Sequence, residues 1–446
     1  MNAFRFRRCG SLWGAAMVVV VAIWLAGTTA LAADYYIDYA GGDDTQVGSK
    51  EAPWQRHPYM QGFAGSYAPA DGDRFIFKGG VVWPGECFGL IIQQGGSAEQ
   101  PHVYTVDETW FDGEAWSRPV FDMQNQVIVG NKPVSFLFAS NVVFNGFEIR
   151  NQRIWGPKAY GWGGVSIDTS ENITVSNCYI HDWIVAEPTV TADHEFGGIW
   201  SKASPGTVVD GCVIHGQVEP ITGKYSGTGI RNGGTTLNCE IYDVPNGLLG
   251  GGTIRNCNIH HIYTSYDSGT NVLTPPNGRH ANGVYLFGNT DFVGNWVHDV
   301  LAAGAPVVFP AAGWNGVNGT ALIYNNIIQG GIHLNGDGLA AANEATWLIY
   351  NNMIVAGNAP IVASKKSNNP AGHVHIMNNV IVSTGTYPCP INLGQTVADL
   401  QIDYNLHYNS SPSQNLVGGQ PCVLYLNWVR RQNLAQTQAD GFNLHS

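Results

Sequence analysis

The chain has 446 residues, of which 12% are charged and 44% are hydrophobic, and its formal net charge is −12 at pH 7. An acidic surface of this kind repels nucleic acid and anionic membranes, so the composition excludes a nucleic-acid-binding protein. The few charged residues and the 56 glycines exclude a disordered chain and indicate a rigid, turn-rich protein. An acidic polysaccharide would bind such a chain only through a local basic groove or a bound cation.

Residues 1–32 have the features of a secretory signal peptide. A basic start with Arg5, Arg7 and Arg8 precedes an apolar run over 12–27 and a small-residue cleavage site at 30–32. The run is too short for a comfortable membrane span, although an uncleaved anchor stays open as the alternative, and no later segment predicts a span. We therefore expect a secreted protein, extracellular or periplasmic, whose mature chain begins near Ala33. Removal of residues 1–32 leaves 18 basic against 33 acidic residues, which is a net charge of −15.

The mature chain opens with a segment that we assign to a cap. Residues 33–72 include the stretch DYYIDYAGGDD at 34–44 and precede the repeats described next. An uncovered end of a stack of strands would expose unpaired strand edges, so a covering segment of about 40 residues is expected here.

A short phrase recurs through the rest of the chain: an apolar strand, two asparagines and a second apolar strand. It reads LIYNNIIQGG at 322–331, LIYNNMIVAG at 348–357 and HIMNNVIVST at 375–384. In ten such repeats the residue before the second strand is Asn or Gly nine times, and these two residue types adopt positive φ at the least cost. The pattern predicts one tight bend in every repeat. The predicted bends lie at Gly146, Asn177, Gly211, Asn238, Asn256, Gly294, Asn325, Asn351, Asn378 and, as the exception, Tyr404.

The position after each bend is also regular. It reads Phe147, Cys178, Cys212, Cys239, Cys257, Asn295, Asn326, Asn352, Asn379 and Asn405. Two residues later most repeats have Ile, and residues two apart share one face of a strand, so like side chains should stack above like. Stacked asparagines form an amide ladder that satisfies its own hydrogen bonds, and we interpret the four cysteines as small interior fillers.

The spacing of the repeats predicts the fold. The interval between bends varies from 18 to 38 residues, whereas the strand–bend–strand phrase itself stays constant. A propeller or a helical solenoid would hold its period more tightly. Three short strands per repeat, stacked in parallel, predict an all-β, single-stranded right-handed parallel β-helix of about ten or more coils over 73–410. Residues 411–446 then form a C-terminal segment.

Three segments carry a resemblance to a known superfamily. DYYIDYAGGDD at 34–44, ADGDRFIFKGGVVWP at 70–84 and LNWVRRQNLAQTQADGFNLHS at 426–446 resemble members of the pectin-lyase-like right-handed β-helix superfamily. The resemblance covers nearly the whole mature chain and implies the same fold. It also implies a carbohydrate-active protein in which sugar chains bind along the first strand of each coil. The motifs of the superfamily's galacturonan hydrolases and uronan epimerases are absent, so the subfamily stays open.

Alternation along these first strands separates inward from outward side chains. Val165, Ile167, Ile199 and Ile230 are expected to point into the core. The outward set is Ser166, Asp168, Trp200, Lys202, Arg231, Leu249, Tyr285, Phe287, His333 and Asn335. Because aromatic faces stack on pyranose rings, Trp200, Tyr285 and His333 are candidate substrate-binding residues. The alternative is an ordinary solvated sheet face.

Asp168, Lys202 and Arg231 are the first set of catalytic candidates. They lie on three successive coils, so about 5–10 Å should separate them. A uronate-cleaving lyase needs a cation that neutralises the substrate carboxylate and a base that removes the adjacent proton, which Arg231 and Lys202 could supply. Asp168 could hold a calcium ion or orient Lys202, and no other cofactor is expected. The alternative is a surface salt bridge between Asp168 and Lys202.

Loops that enter the first strands hold the second set of candidates. They are His194 and Glu195 in the loop 192–198, Arg279 and His280 in the long insertion 265–283, and Trp155 and Trp162 in the loop 153–164. Histidine and carboxylate together could perform general acid–base work in a hydrolase, while Arg279 and the two tryptophans could bind substrate. The alternative for His194 and Glu195 is that they are simply exposed loop residues, and the alternative for Trp155 and Trp162 is a loop that packs on the β-helix.

Two regular patterns are assigned to structure and not to chemistry. His181, His215, His260 and His298 recur just after the inner Ile of their coils, which indicates a stacked column and not a metal site. Seven cysteines remain in the mature chain, so at least one is unpaired or intermolecular, and Cys389 with Cys422 is the best disulfide candidate.

Together with what the resemblance implies, these patterns predict a secreted carbohydrate-active enzyme, either a polysaccharide lyase or a glycoside hydrolase, that acts in a groove along the first strands. The rival hypothesis is a non-catalytic surface β-helix protein that binds glycan or has a structural role. Clustering of charged and aromatic residues over 162–335 favours the enzyme. We expect a monomer whose partner is a polysaccharide substrate or a glycan ligand.

Overall fold

The computed structural model describes most of the chain after residue 30. The described residues are 31–128, 132–154, 162–185, 196–216, 227–262, 266–267, 272–273, 282–300, 307–311, 319–335, 345–357, 359–364, 371–384, 389–393, 397–409, 422–426 and 429–446.

The chain winds into coils, and each coil contributes a first, a second and a third strand to three parallel stacks. The stack of first strands comprises β4 (Leu90–Ile92), β7 (Val134–Leu137), β11 (Trp162–Asp168), β15 (Phe196–Lys202), β18 (Thr228–Asn232), β27 (Val308–Ala311), β30 (Ile332–Asn335), β33 (Ile361–Ser364), β36 (Ile391–Leu393) and β39 (Leu424–Leu426). Two long strands, β21 (Asn246–Arg255) and β25 (Val284–Val293), supply both the first and the second strand of their coils.

The second and third strands form equally regular stacks. The second strands are β1 (Asp34–Ile37), β2 (Arg74–Gly79), β5 (His102–Phe111), β8 (Ser140–Asn145), β12 (Glu171–Ser176), β16 (Val208–Asp210), β19 (Thr235–Leu237), β28 (Thr320–Tyr324), β31 (Thr346–Tyr350), β34 (Ala371–Met377) and β37 (Val397–Asp403). The third strands are β3 (Val82–Pro84), β6 (Val120–Asp122), β9 (Glu148–Arg150), β13 (Tyr179–His181), β17 (Val213–His215), β20 (Glu240–Val244), β22 (Asn258–Ile262), β26 (Trp296–Val297), β29 (Ile327–Gln329), β32 (Met353–Ala356), β35 (Val380–Ser383) and β38 (Leu406–Asn409).

Few elements lie outside these stacks among the described residues. β10 (Arg153–Ile154) pairs with β14 (Ile184–Val185), β23 (Tyr266–Asp267) pairs with β24 (Val272–Leu273), and β40 (Val429–Arg431) returns antiparallel to β39. A 3-10 turn spans Gly85–Cys87, and the helix α1 spans Leu434–Ala439. None of the described helices is both long and apolar enough to cross a membrane.

The prediction of a right-handed parallel β-helix is confirmed. The third strands alone form a twelve-stranded sheet in which every pairing is parallel, so the described residues contain about twelve coils. Inward side chains meet in register: Val165 pairs with Ile199, and Ile199 pairs with Ile230. All three are fully buried, as their alternation predicts. The stack of first strands continues beyond residue 410, because β39 pairs in parallel with β36.

Every predicted bend has positive φ. The ten angles run from 49° at Asn177 to 92° at Gly146, and Tyr404 adopts 55° although it is neither Asn nor Gly. Left-handed backbone costs a tyrosine more than an asparagine, and the ring of Tyr404 stacks on His445 at 4.6 Å between centroids. The bend at the end of the last complete coil is therefore held by contacts with the C-terminal segment.

The amide ladder is present inside the coils. The Asn326 Nδ2 atom donates to Asn352 Oδ1 at 2.9 Å, and Asn352 Nδ2 donates to Asn379 Oδ1 at 3.0 Å. The same carboxamides also accept backbone N–H groups of the coil before, so buried polar atoms are paired along the column. The four ladder cysteines above it are buried thiols, as expected of interior fillers.

Both ends of the stack are covered by chain. At the first coil, the Trp54 ring stacks on Tyr35 at 4.6 Å between centroids. At the last coil, the Asn405 N–H donates to Ser446 Oγ at 2.8 Å, so the C-terminal residues terminate the amide ladder. The expected disulfide between Cys389 and Cys422 forms, with the two Cα atoms 5.0 Å apart.

Candidate functional site

A groove lies on the outside of the β-helix where the first strands turn into the second strands. Its volume is about 580 Å³. It crosses four coils, those of β15, β18, β21 and β25. Its lining residues are Ser201, Lys202, Ala203, Ser204, Pro205, Arg231, Asn232, Gly233, Leu249, Gly250, Gly251, Gly252, Phe287 and Asn289.

The floor of the groove is a run of glycines in the shortest coil. Only 18 residues separate the bends at Asn238 and Asn256, so this coil has no room for an insertion. A Cβ atom on Gly250 would lie 1.8 Å from the Asn232 carbonyl oxygen, and Gly252 adopts a φ of +69°. Glycine is therefore required here on both steric and conformational grounds. The absence of side chains from this floor leaves space between the two walls.

One wall of the groove is a turn that projects from β25. Gly250 pairs with Leu286 and Gly252 pairs with Thr290, so three residues of β25 lie opposite Gly251 alone. The Thr290 hydroxyl donates to the Phe287 carbonyl at 3.1 Å and closes the turn. This irregularity turns Phe287 and Asn289 towards the groove.

The opposite wall carries the two cations of the first catalytic set. Lys202 is exposed at the end of β15, and Arg231 is half-buried on β18. The Arg231 guanidinium lies 4.3 Å from the centre of the Trp200 ring, and a cation over an indole face is an attractive, orienting contact. The described lining residues include no Asp or Glu. The groove is thus a local basic site on an acidic protein.

Asp168 lies beside this groove and does not line it. It is the register partner of Lys202 on the neighbouring strand, and its carboxylate accepts a hydrogen bond from the Thr169 hydroxyl at 3.0 Å. Within the described part of the chain, no ion pair joins Asp168 to Lys202. Arg231 pairs with Trp200, two residues before Lys202, so the three candidates occupy successive strands but two different columns.

The structure buries two of the predicted sugar-stacking residues. Trp200 is 2% exposed and Tyr285 is 8% exposed, although both belong to the outward set. Tyr285 packs with Leu249 and the half-buried Phe287 in a small apolar cluster separate from the core. Outward alternation predicts which way a side chain leaves the strand, but it does not predict what covers the side chain. Phe287 is the aromatic residue that the groove presents.

The remaining candidates lie away from the groove or beyond what the structure describes. His333 is half-buried on β30, four coils from Arg231, which is about 20 Å along the stack. Outside the described residues lie Trp155, His194, Glu195, Arg279 and His280 together with the side chain of Trp162. Sequence analysis missed Asn289 and the three glycines, although the 18-residue interval and the GGG stretch mark this coil.

A second cluster of titratable residues lies on the second strands, far from the groove. His375 Nε2 and His373 Nδ1 lie 2.8 Å and 3.1 Å from the same Asp399 oxygen, and the Tyr350 hydroxyl lies 3.3 Å from His375 Nδ1. Hydrogen bonds from His375 and His373 lower the pKa of Asp399, and burial followed by the Asp399 charge raises the pKa of Tyr350. The sequence analysis did not single out this chain of carboxylate, imidazole and phenol.

The described residues hold no ready metal site. No group of three or more His, Cys, Asp or Glu side chains among them could hold a metal ion. The predicted column of histidines is a stack of rings: His181 on His215 at 5.2 Å, Tyr242 between His215 and His260, and His260 on His298 at 5.0 Å. Its interpretation as a stacked column is confirmed.

Comparisons with known proteins were made by family model, by sequence and by structure. No protein-family model matches the chain, and no curated protein sequence matches it. Among solved structures, the chain is similar to pectate lyase Pel9A, with 13% identity, coverage of 84% of this chain and 80% of that chain, and a TM-score of 0.44.

Two other solved structures show a similar degree of likeness. The GH136 lacto-N-biosidase from Eubacterium ramulus has 13% identity, coverage of 88% and 68%, and a TM-score of 0.40. PfbA, a surface adhesin of Streptococcus pneumoniae, has 12% identity, coverage of 76% and 84%, and a TM-score of 0.42. Because the identities and TM-scores are low, the fold assignment does not depend on these similarities. It rests on the parallel strand register of this chain.

Proposed function

We propose that this protein is a secreted polysaccharide lyase that cleaves a uronate-containing polysaccharide in the groove of Lys202 and Arg231. The observation that carries the proposal is the charge of the groove: two cations and no described carboxylate line it, in a chain with a net charge of −12. A basic groove on an acidic surface concentrates an acidic ligand at that one place. It is also the local basic site that a polyanionic substrate requires on such a protein.

Two of the lining side chains, Arg231 and Lys202, fit the steps of a β-elimination. Arg231, oriented by Trp200, would pair with the uronate carboxylate and stabilise the negative charge that develops when the neighbouring C5 loses its proton. Lys202, in its unprotonated form, would accept that C5 proton. The electron pair of the C5–H bond forms the C4–C5 double bond, the C4–O bond breaks, and the leaving oxygen takes a proton from water.

The other wall supplies binding. Phe287 can lie against the apolar face of a sugar ring, since aromatic rings pack on such faces. The Asn289 carboxamide oxygen accepts the Thr320 N–H at 2.9 Å, which holds the side chain at the groove, and its NH₂ group would donate to sugar hydroxyls. Asp168 would act by position beside Lys202, or would contribute to a calcium site completed by the substrate.

Two rival functions would use different residues or the same groove in a different way. A glycoside hydrolase would use carboxylates and histidines, with Asp168, His194, Glu195 and His280 as the candidates. Trp155, Trp162, Arg279 and the half-buried His333 stay candidate substrate contacts for either kind of enzyme. A non-catalytic glycan-binding protein would use the groove without turnover.

The test is an assay of the purified exported protein on uronate-containing and neutral polysaccharides, with calcium and with a chelator. Ultraviolet absorbance of unsaturated ends and new reducing ends are followed in the same samples. We expect both signals to rise together on an acidic polysaccharide. Reducing ends alone would establish hydrolysis, and neither signal across a broad panel would leave glycan binding as the function.

Substitutions at the two cations test the site. Lys202→Ala and Arg231→Ala should abolish turnover while the β-rich circular dichroism survives. Lys202→Arg is sharper because it keeps the charge but removes the base, so turnover should fall by about 10²–10⁴ while oligosaccharide binding persists. The matched control is Lys50→Arg, at a lysine whose ion pair with Asp107 lies on the surface elsewhere. Full activity in both alanine variants would move the search to Tyr350 and His375.

A further inference from the structure

The N-terminal end of the described chain meets a buried carboxylate. The backbone nitrogen of Ala33 lies 3.0 Å from Asp73 Oδ1. Asp73 has no exposed surface. Its other oxygen accepts the Tyr67 hydroxyl and the Ala70 N–H, both at 2.8 Å. The carboxylate therefore accepts three hydrogen bonds, and one of the donors is the nitrogen at the start of the fold.

Asp73 has no counter-charge within the described part of the chain. The ion pairs found there include Arg74 with Asp34 and Lys78 with Asp38, but none that involves Asp73. A buried ionised carboxylate is costly unless a charge or several hydrogen bonds compensate it. Burial, followed by the hydrogen bond to Asp73, raises the pKa of Tyr67, so the phenol stays neutral and supplies no charge.

Leu31 and Ala32, the described residues before Ala33, are both exposed. Leu31 is 89% exposed although it is a large apolar residue. From Ala33 onwards the chain is held: the Arg74 N–H donates to the Ala33 carbonyl at 2.9 Å, and Asp34 begins β1 in register with Arg74. The boundary between unheld and held chain coincides with the end of the small-residue cleavage site at 30–32.

We propose that hydrolysis of the Ala32–Ala33 peptide bond frees the α-amine of Ala33, and that the resulting ammonium forms an ion pair with the buried Asp73 carboxylate. In the hydrolysis, the hydroxyl of water goes to the Ala32 carbonyl carbon, and the Ala33 nitrogen gains the remaining proton. It takes one further proton from solvent at neutral pH. Removal of the leader thereby supplies the missing counter-charge and completes the N-terminal cap.

The ion pair strengthens a contact that already exists. A peptide N–H and an ammonium occupy the same position relative to Asp73 Oδ1, so no rearrangement is required. The bond between the peptide N–H and the carboxylate already has one ionised partner, and the ammonium adds the attraction between two opposite charges. The proposal rests on the secretion included in the proposed function but not on catalysis, and its tests use no substrate.

The first test is the mass of the N-terminal peptide of protein exported from the full-length chain. We expect the exported protein to begin at Ala33. A chain that begins at Asp34 or later, or that retains residues before Ala33, would overturn the proposal.

The second test is the reactivity of the α-amine with a limiting amine reagent near pH 8, read by peptide mass spectrometry. The control variant carries one Gly inserted between Ala32 and Ala33, so the exported protein has the same charge one residue further out. We expect the Ala33 amine to react about tenfold more slowly than the Gly amine, because an ion pair keeps it protonated. Equal rates would overturn the proposal.

The variant Asp73→Asn distinguishes the effect of the Asp73 charge on the amine from the effect of steric shielding. In this variant the Ala33 amine should react at the rate of the Gly control, and a rate that stays slow would overturn the ion pair. If Asp73→Asn is not recovered folded, the comparison with the Gly-insertion variant decides. That comparison can be supported by melting, where the inserted residue should lower the Tm by about 2–4 °C.

Discussion

At the scale of single residues, the residues that pack over an outward side chain decide whether it stabilises the fold or is available to a ligand. Trp200 and Phe287 are both outward aromatic residues, yet Trp200 is 2% exposed beneath Arg231, and Phe287 lines the groove. A buried indole orients the guanidinium above it and stabilises the fold. A partly open phenyl ring is accessible to a ligand of the proposed site. The two residues should therefore respond differently to the same substitution.

Trp200→Ala should lower the free energy of unfolding by about 3–5 kcal/mol, because it leaves a large cavity. Phe287→Ala should lower it by much less and instead raise KM for the polysaccharide. Urea unfolding and steady-state kinetics of the two variants make the comparison. A Trp200→Ala protein with unchanged stability and a raised KM would show that the indole binds sugar directly.

His181 makes stability depend on pH. Its ring nitrogens lie 2.8 Å from Asp182 and 3.3 Å from Glu148, which also pairs with Arg150. Burial opposes protonation, but hydrogen bonds to Glu148 and Asp182 outweigh it and raise the pKa of His181 above 6.5. A raised folded pKa contributes stability that is fully present below pH 6.5 and is lost as the pH rises through the folded value.

The Tm difference between wild type and His181→Gln should thus shrink as the pH is raised from about 6 to 8. Melting curves across that range test this expectation. His215, which stacks on His181, is titratable too, so the same series is recorded in a His215→Gln background. A difference that does not vary with pH would contradict the assigned ion pair.

At the scale of elements, the bend residue Asn351 and the ladder residue Asn352 are neighbours in sequence. The bend position should tolerate substitution, whereas the ladder position should not. Asn351 supplies a φ of +56°, which glycine adopts equally well. Asn352 donates to Asn379 Oδ1 and to the Ile323 carbonyl, and it accepts the Asn326 N–H at 3.0 Å. Its loss would leave several buried groups unpaired.

Asn352→Ala should therefore reduce the free energy of unfolding by about 3 kcal/mol or more, since each buried group left unsatisfied costs about 1–3 kcal/mol. The matched control, Asn351→Gly, should reduce it by no more than about 1 kcal/mol, because glycine adopts the positive φ freely and only the greater freedom of the unfolded chain opposes folding. Chemical denaturation of the two variants measures both values. Equal losses would show that the ladder contributes no more than the bend.

At the scale of the whole molecule, each coil contacts mainly its neighbours, so the two ends determine how the stack opens. The Cys389–Cys422 disulfide joins the ends of a segment with a sequence separation of 33 at the C-terminal end. A Cys389→Ser/Cys422→Ser double variant should lose about 3 kcal/mol, and its last coils should open first on heating. Hydrogen exchange of residues 389–409 measures this opening. Reduction should reproduce it in the wild type and leave the double variant unchanged.

The sequence by itself determined the coil. Each repeat shows the same local pattern: a bend at Asn or Gly, an inward Ile and, in the later coils, an inward Asn. Such local patterns can be recognised from the sequence of a single repeat. It also placed Lys202 and Arg231 together, because both end up on adjacent first strands.

Only the tertiary structure decided which outward residues stay open and where a groove forms. The burial of Trp200 and Tyr285 depends on what packs over them, and the groove depends on a register shift between Gly250 and Gly252 that brings Phe287 and Asn289 opposite the cations. Such contacts join residues tens of positions apart, and no periodicity within one strand encodes them.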